Sequence, residues 1–261
     1  VYVILTVVDK KKSEQPDIHI NGMRLYIHDT HPPDPVPTPS GPWRDCHQAW
    51  EAGIRTSGVT LLRPVSDKAP IRAWCDHDRD PGGWTVIQRR EDGSINFDRP
   101  WKAYWRGFGS PRGENWLGLQ AMHALTSKEN QRLIILLEDW IGHHTVAEYG
   151  SFRVGSEVEN GKLHLGHYRG TAGDALGVHD GRPFSARNRD NDAFAGNCAT
   201  KQRGGWWYNA CAQANLNGIW HQGGTYNGGE QLGIFWEPFH GTAYSLRRVV
   251  MMIRPNPNFY H

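Results

Sequence analysis

The sequence predicts an α+β domain built around an antiparallel central sheet with short helices. Short runs of strand character are followed by turns of hairpin length, a pattern that favours an antiparallel sheet over a βαβ array. The 261 residues include 30 Gly and 16 Pro, which indicate many turns, and 12 Trp, which favour a large core. A chain of this length suffices for one large domain or two small ones.

The first 43 residues differ in composition from the rest. Segment 1–8 is apolar, too short to span a membrane and without the basic start of a signal peptide, so a strand or the remnant of a longer segment is predicted. The Pro-dense segment 31–42 is predicted to be a semi-rigid extended linker. Because the chain begins with Val1, we expect a fragment of a longer protein. The expected organisation is an extension and linker over 1–43, a domain over 44–257 and a tail over 258–261.

The elements of the domain follow from residue type and spacing. Asp45 is a suitable N-cap for a helix over 46–52 that Gly53 ends. Further short helices are predicted over 101–108 and 118–125. The predicted strands are 58–62, 71–75, 84–88, 131–140, 146–154, 163–168 and 245–253, with 131–140 as the buried central strand. Segment 174–241 is rich in Gly and Asn with little periodicity, and such a long irregular region is usually functional.

Charge and motif content exclude several functions. The net charge is only +2, and no Lys/Arg-rich stripe follows Lys10–Lys12, so nucleic-acid binding is not indicated. No catalytic fingerprint for a hydrolase, nucleotide-binding or zinc-protease site is present. The histidine pairs, His143 with His144 and His164 with His167, have no partner acid at ligand spacing. Glu138 and Asp139 are paired carboxylates, but neighbours on a strand point to opposite faces. We therefore predict that the chain is not an enzyme and does not insert into a membrane.

The four cysteines indicate an oxidising compartment. They are Cys46, Cys75, Cys198 and Cys211, and no C-x-x-C spacing is present, which excludes zinc-ribbon and thioredoxin sites. Three pairings are possible. Pairing in sequence order would close loops of 29 and 13 residues, each contributing about 3 kcal/mol by restricting the unfolded chain. A secreted, extracellular protein is therefore expected.

The segment 190–198 (DNDAFAGNC) carries the strongest chemical signal. The carboxylates of Asp190 and Asp192 can converge on one hard cation, and Ca²⁺ takes six to eight oxygen ligands. Gly196 permits a tight turn that would aim backbone carbonyls inward. The alternative is a pair of solvated loop carboxylates. The loop is not an EF-hand, because no Glu closes it at position twelve.

Several motifs resemble the fibrinogen C-terminal domain family. They are DPGGWTVIQRR at 80–90, DGS at 92–94, WLGL at 116–119, GNCA at 196–199, GWWYNAC at 205–211, NLNG at 215–218, YSL at 244–246 and MMIRP at 251–255. The resemblance covers roughly residues 44–257. Within the family the chain is similar to the angiopoietin-like group, on the strength of the entry at 41–46 and the tail at 255–258.

This resemblance implies a three-subdomain fibrinogen-like fold whose irregular part binds calcium and ligand. It implies the disulfides Cys46–Cys75 and Cys198–Cys211 and a cis peptide at Ala210–Cys211. It also implies Ca²⁺ as the bound ion, with the side chains of Asp190 and Asp192 and the carbonyls of Phe194 and Gly196 as ligands. Relatives carry a signal peptide and an oligomerising coiled coil, so the full-length protein is expected to be a homo-oligomer.

By resemblance, the expected function is that of a secreted ligand for cell-surface receptors of the integrin or immunoglobulin-like class. Aromatic residues of the irregular region are either receptor anchors or core; these are Trp206, Trp207, Tyr208 and Trp220.

The alternative function is a ficolin-like lectin for N-acetylated sugars, with acetylated glycans as partners. Its pocket would lie beside the second disulfide, and the candidate residues are Tyr208, Ala210, Cys211, Thr225, Trp236 and Tyr244. Thr225 stands where such lectins often have a His, which counts against this function. Gln202 and Ala212 replace the acidic residue and the His of fibrinogen's own peptide pocket, which argues against peptide binding of that kind. A metal-dependent transferase using the D-x-D pair is a remote alternative.

Overall fold

A computed structural model describes residues 41–256 and, before them, one short antiparallel pair, β1 (His19–Ile20) and β2 (Met23–Arg24). The chain divides into two units, Val1–Thr38 and Pro39–His261. The strand or remnant predicted at 1–8, most of the predicted linker and the predicted tail lie outside the described residues.

The second unit begins with a capped helix and an antiparallel hairpin. Helix α1 (Cys46–Glu51) starts as predicted at Asp45, whose side chain accepts a 2.8 Å hydrogen bond from the amide of Gln48. The hairpin strands are β3 (Gly58–Leu62) and β4 (Ile71–Asp76), and β5 (Trp84–Arg90) follows. The Cys46–Cys75 disulfide joins α1 to β4.

Strand β5 pairs with two different strands along the same edge, because β4 pairs only with the start of β5 and β7 pairs with its end. The next elements are α2 (Trp101–Arg106), β6 (Phe108–Gly109) and β7 (Asn115–Trp116). Thr85 and Trp84 pair with β4, whereas Gln88 and Arg89 pair with β7. Helix α2 ends earlier than predicted because Gly107 adopts a φ of 92°, where a Cβ would lie 2.5 Å from the Leu117 carbonyl oxygen.

The central sheet is antiparallel, as predicted, and its last strand lies in the middle. After α3 (Leu119–Thr126) come β8 (Gln131–Glu138), β9 (His144–Val154), β10 (Leu163–Leu165) and β11 (Tyr168–Gly170). Strand β14 (Arg248–Pro255) then inserts between β8 and β5. The order along the ten-stranded sheet is β10-β9-β8-β14-β5-β4-β3, with β6, β7 and β11 off this path.

Two strand predictions need correction. The strand expected over 163–168 is two strands that pair with β9 in one register and are interrupted at Gly166 and His167. The interruption faces Gly150 and Ser151, where the pairing of β9 with β8 shifts its register. The strand expected from Ser245 begins at Arg248, because the Ser245 and Leu246 amides donate to carbonyls of the irregular region.

The irregular region 174–241 contains only short elements. They are a 3₁₀ helix (Gly177–His179), α4 (Cys198–Gln202), β12 (Ala214–Asn215), β13 (Phe235–Trp236) and α5 (Glu237–His240). Aromatic packing joins it to the sheet, since Trp207 lies 5.9 Å from Trp116 and 6.3 Å from Phe152 between ring centroids. Trp206 and Trp207 are both 0% exposed, so they are core residues and not receptor anchors.

Candidate functional site

The acidic loop is fixed to the core on both sides. On one side, the amide of the loop residue Asn191 donates to Ser185 Oγ at 2.9 Å, and Asn191 Nδ2 donates to the Phe184 carbonyl at 2.7 Å. Within it, the Ala193 amide donates to the Asn209 carbonyl at 2.9 Å. The loop therefore has a defined backbone path next to the segment that carries Cys211.

Asp190 and Asp192 organise this path with their carboxylates. Asp190 Oδ1 accepts from the Asp192 amide at 3.2 Å. Asp192 accepts from the amides of Phe194 and Cys198, both at 3.2 Å. Burial, together with the charge of Asp190, raises the pKa of Asp192, although the Cys198 amide acts against the shift. The two carboxylates repel each other, and a bound cation would remove this repulsion.

The oxygen donors of the loop fit a hard cation. Within residues 41–256, the carbonyls of Phe194 and Gly196 accept no hydrogen bond, so their oxygens are available. In that same range, no three His, Cys, Asp or Glu side chains are grouped so that they could hold a metal. The donors at the loop are thus carboxylate and carbonyl oxygens, the kind Ca²⁺ takes. The sequence predicted that Gly196 permits a tight turn through its backbone freedom, but Gly196 does not have a positive φ. Its lack of a side chain matters for space, since an added Cβ would lie 3.1 Å from the Phe194 ring.

The second disulfide closes the loop onto a short helix. Cys198–Cys211 is formed, as is Cys46–Cys75, in the pairing that the resemblance implied. The Ala210–Cys211 peptide is cis, also as implied. Asn197 caps α4 by accepting from the Thr200 amide at 2.9 Å and donates to the Ala186 carbonyl at 3.2 Å.

The six ligand-binding candidates separate into buried and accessible residues. Tyr208 and Trp236 are 0% exposed, and their polar atoms bond to the carbonyls of Gly204 (2.7 Å) and Gly173 (2.9 Å). They cannot line an open aromatic cage, which corrects the arrangement expected for a lectin pocket. The accessible candidates are Ala210, Cys211, Thr225 and Tyr244, and the last two face each other in a β-bridge.

A buried carboxylate with two histidine partners adjoins Tyr244. Asp139 has a fully buried side chain, and one of its oxygens lies 3.0 Å from His240 Nε2 and 3.3 Å from His143 Nδ1. Burial alone would raise the pKa of Asp139, but hydrogen bonds from the His143 and Ile141 amides and from His240 lower it overall. Asp139, four residues before His143, is thus its acid partner, a contact that the sequence did not suggest. His240 is 101 residues from Asp139, so no local signal could show this contact.

Two more residues singled out in the sequence have structural partners. Trp220 is half-buried, and its indole nitrogen donates to the Arg247 carbonyl at 2.9 Å. Gln202 is buried and donates to the side-chain oxygen of Gln231 at 2.7 Å.

Among the described residues, no helix has the length and apolar character needed to cross a membrane.

Comparisons with known proteins identify the family. The family model described as "Fibrinogen beta and gamma chains, C-terminal globular domain" matches residues 42–256. The chain is 52% identical over 229 residues to mouse angiopoietin-related protein 2, covering 88% of this chain and 46% of that protein. It is 51% identical over 221 residues to human angiopoietin-related protein 6, covering 84% of this chain and 48% of that protein. The chain thus spans about half the length of these curated relatives.

A solved structure agrees with these matches. The fibrinogen-like globe domain of human ANGPTL2 superposes with a TM-score of 0.82 at 53% identity, covering 83% of this chain and all of that one. The predicted fold class is confirmed, and the domain is of a type without enzymatic activity, as predicted. The chain belongs to the fibrinogen C-terminal domain family and, within it, to the angiopoietin-like group.

Proposed function

We propose that this chain is the receptor-facing domain of a secreted ligand and that Ca²⁺ bound at its acidic loop stabilises the recognition surface. The observation that carries the proposal is an exposed aromatic side chain on the same loop that presents the two carboxylates. Phe194 is 40% exposed although its neighbours are held by hydrogen bonds and a disulfide. Aromatic residues, Phe among them, are enriched in protein–protein interfaces relative to the rest of the surface.

The loop's own residues supply both the ion site and the surface. Asp190 and Asp192, with the carbonyls of Phe194 and Gly196, would hold the ion, which would neutralise the two carboxylates. The Asp192 carboxylate also accepts from the Phe194 amide, so the ion site and the exposed ring share a backbone connection. We infer a structural role for the ion: it limits the conformations from which Phe194 is presented.

Lys201 extends the surface beside Phe194. Its ammonium nitrogen lies 5.3 Å from the centre of the Phe194 ring, within the range of a cation–π contact. Lys201 belongs to α4, which begins at Cys198 of the second disulfide. The pair offers an apolar and a positive element side by side, which suits a receptor surface that combines an apolar patch with a carboxylate.

The proposed kind of partner and cellular location are supported by the family. The relatives are angiopoietin-related proteins, which supports a cell-surface receptor of the integrin or immunoglobulin-like class as the partner. Two disulfides in a domain of this size support secretion to an oxidising compartment. Oligomerisation through a coiled coil in the full-length protein is part of the same proposal.

Binding of the labelled chain to cells that display single receptors of these two classes tests the proposal. We expect Phe194→Ala to weaken binding about tenfold or more, because truncating a hot-spot aromatic removes most of its contact. The control is Val178→Ala, since Val178 has the same 40% exposure but lies outside the acidic loop, in the 3₁₀ helix Gly177–His179. Chelation of calcium should reduce the wild-type binding.

Two outcomes would contradict the proposal. Equal binding by Phe194→Ala and Val178→Ala would place recognition elsewhere on the domain. Calcium-dependent retention on an acetylated resin, released by free N-acetylglucosamine, together with no receptor binding, would instead identify a lectin.

A further inference from the structure

A cleft lies where β4 and β7 separate along β5. Strand β4 pairs with β5 only at Thr85 and Trp84, and β7 takes over at Gln88 and Arg89. The cleft between the two diverging strands has a volume of about 550 Å³. Its size is within the range of small-ligand pockets in proteins.

Three arginines from three different elements line this cleft, and we name it the arginine cleft. Arg72 comes from β4, Arg106 is the last residue of α2, and Arg112 lies in the turn between β6 and β7. None of the described residues that line the cleft is Asp or Glu. The local charge is therefore positive although the whole chain carries only +2.

The three guanidinium groups have no anionic partner among residues 41–256. All three side chains belong to exposed residues, and none forms an ion pair with a described carboxylate. Elsewhere in the domain, exposed Arg169 and half-exposed Arg247 do pair with glutamates, at 2.7 and 2.9 Å. The arginine cleft thus retains its full capacity to bind anions.

A second observation in the cleft points to a ligand. Asn115 is 2% exposed and lines the cleft, and its side-chain oxygen has no hydrogen-bond partner in the part of the chain that the structure describes. A buried acceptor without a donor is destabilising, because it has lost water and gained nothing in exchange. A donor from a molecule in the cleft would satisfy it. Phe108 adds a half-buried aromatic ring to the same lining.

We propose that the arginine cleft binds a sulfated polysaccharide. Guanidinium groups match the oxygens of a sulfate with paired hydrogen bonds. A sugar hydroxyl can donate to the Asn115 oxygen, and the C–H face of a sugar ring can lie on Phe108. The arginines come from three elements instead of following one strand, which suits a ligand with anionic groups on several sides of a ring. This site is independent of the acidic loop and of the receptor proposal.

Binding to immobilised heparin, measured by surface plasmon resonance in about 0.15 M NaCl, tests the proposal. The variant Arg72→Gln/Arg106→Gln/Arg112→Gln should bind about ten- to a hundredfold more weakly, as expected for three lost exposed charge pairs. The matched control is Arg79→Gln/Lys128→Gln/Arg187→Gln, which removes the same charge from exposed residues elsewhere. It should bind within about twofold of the wild type. Because all six residues are exposed, circular dichroism should show both variants folded.

Competition separates sulfated sugars from other anions. Soluble heparin should displace the chain, whereas desulfated heparin and polyglutamate should not. Equal losses in the two triple variants would overturn the proposal, since binding would then follow net charge alone. Displacement by polyglutamate as effective as by heparin would indicate an acidic protein partner instead, and no binding of the wild type to heparin would also overturn it.

Discussion

Replacement of Glu114 by alanine is expected to lower the free energy of unfolding by about 4 kcal/mol. The Glu114 side chain is fully buried and lies 3.4 Å from the guanidinium of Arg90, whose side chain is 1% exposed. Its carboxylate also accepts hydrogen bonds of about 3 Å from the amides of Glu91, Gly93 and Ile95. The Asp92 amide donates to the same carboxylate at 3.4 Å. Alanine would leave a buried arginine without its counter-ion and four amides without an acceptor.

The loss of the Glu114 carboxylate should also destabilise the irregular region 174–241, because Arg90 connects the two. The Arg90 guanidinium donates to the carbonyls of Leu216 (3.2 Å) and Gly218 (2.7 Å), so the ion pair joins β5 to the irregular region. Urea unfolding followed by tryptophan fluorescence measures the effect. The control is Glu148→Ala, which removes an exposed pair with Arg169 and should cost less than about 1 kcal/mol. Similar losses in the two variants would show that the buried pair does not connect these parts of the domain.

Acidification from pH 7 to pH 5 is expected to lower the free energy of unfolding by about 2 kcal/mol through His179 alone. Burial lowers the pKa of His179 to about 4, against a hydrogen bond with the Trp207 carbonyl that acts in the opposite direction. The ring is 0% exposed, with Nδ1 2.6 Å from that carbonyl and Nε2 3.4 Å from the amides of Gln213 and Ala214. These contacts require a neutral ring with its proton on Nδ1.

The sign follows from the two pKa values. The unfolded chain takes up a proton on this histidine below about pH 6.5, whereas the folded chain does so only near pH 4. The stability contribution is therefore complete above pH 6.5 and is lost as the pH falls toward 4. Other histidines with burial-lowered pKa values add to the total, so the measurement compares the wild type with His179→Gln in urea unfolding at pH 7 and pH 5. An unchanged pH dependence in His179→Gln would contradict this role.

Features that depend on neighbouring residues could be predicted from the sequence. The Asp45 cap, the β3 strand and the start of the buried strand β8 follow from local composition and apolar runs, although β8 ends at Glu138 and not at residue 140. The motifs around Cys198 and Cys211 led to the family and to both disulfides. Each of these rests on interactions within a few residues or on a motif that is contiguous in the chain.

Features that depend on distant contacts could not be predicted. The position of β14 between β8 and β5, and the contact of Asp139 with His240, join residues about a hundred or more apart. Trp206 and Trp207 are of a residue type that is common in interfaces, but both are buried, and Trp207 packs against Trp116 of the sheet. The arginine cleft was missed for the same reason, because its arginines are 34 and 6 residues apart and form no stripe in the sequence.

The thermal unfolding of the chain in calcium and in chelator tests most directly whether an ion organises the acidic loop. Saturating calcium is expected to raise the melting temperature of the wild type by about 5 °C or more. Asp192→Asn should abolish this difference. Asp92→Asn should keep it, since Asp92 accepts from the amide two residues on, as Asp190 does, but lies outside the loop. A calcium-dependent shift that persists in Asp192→Asn, or no shift in the wild type, would contradict the proposed ion site.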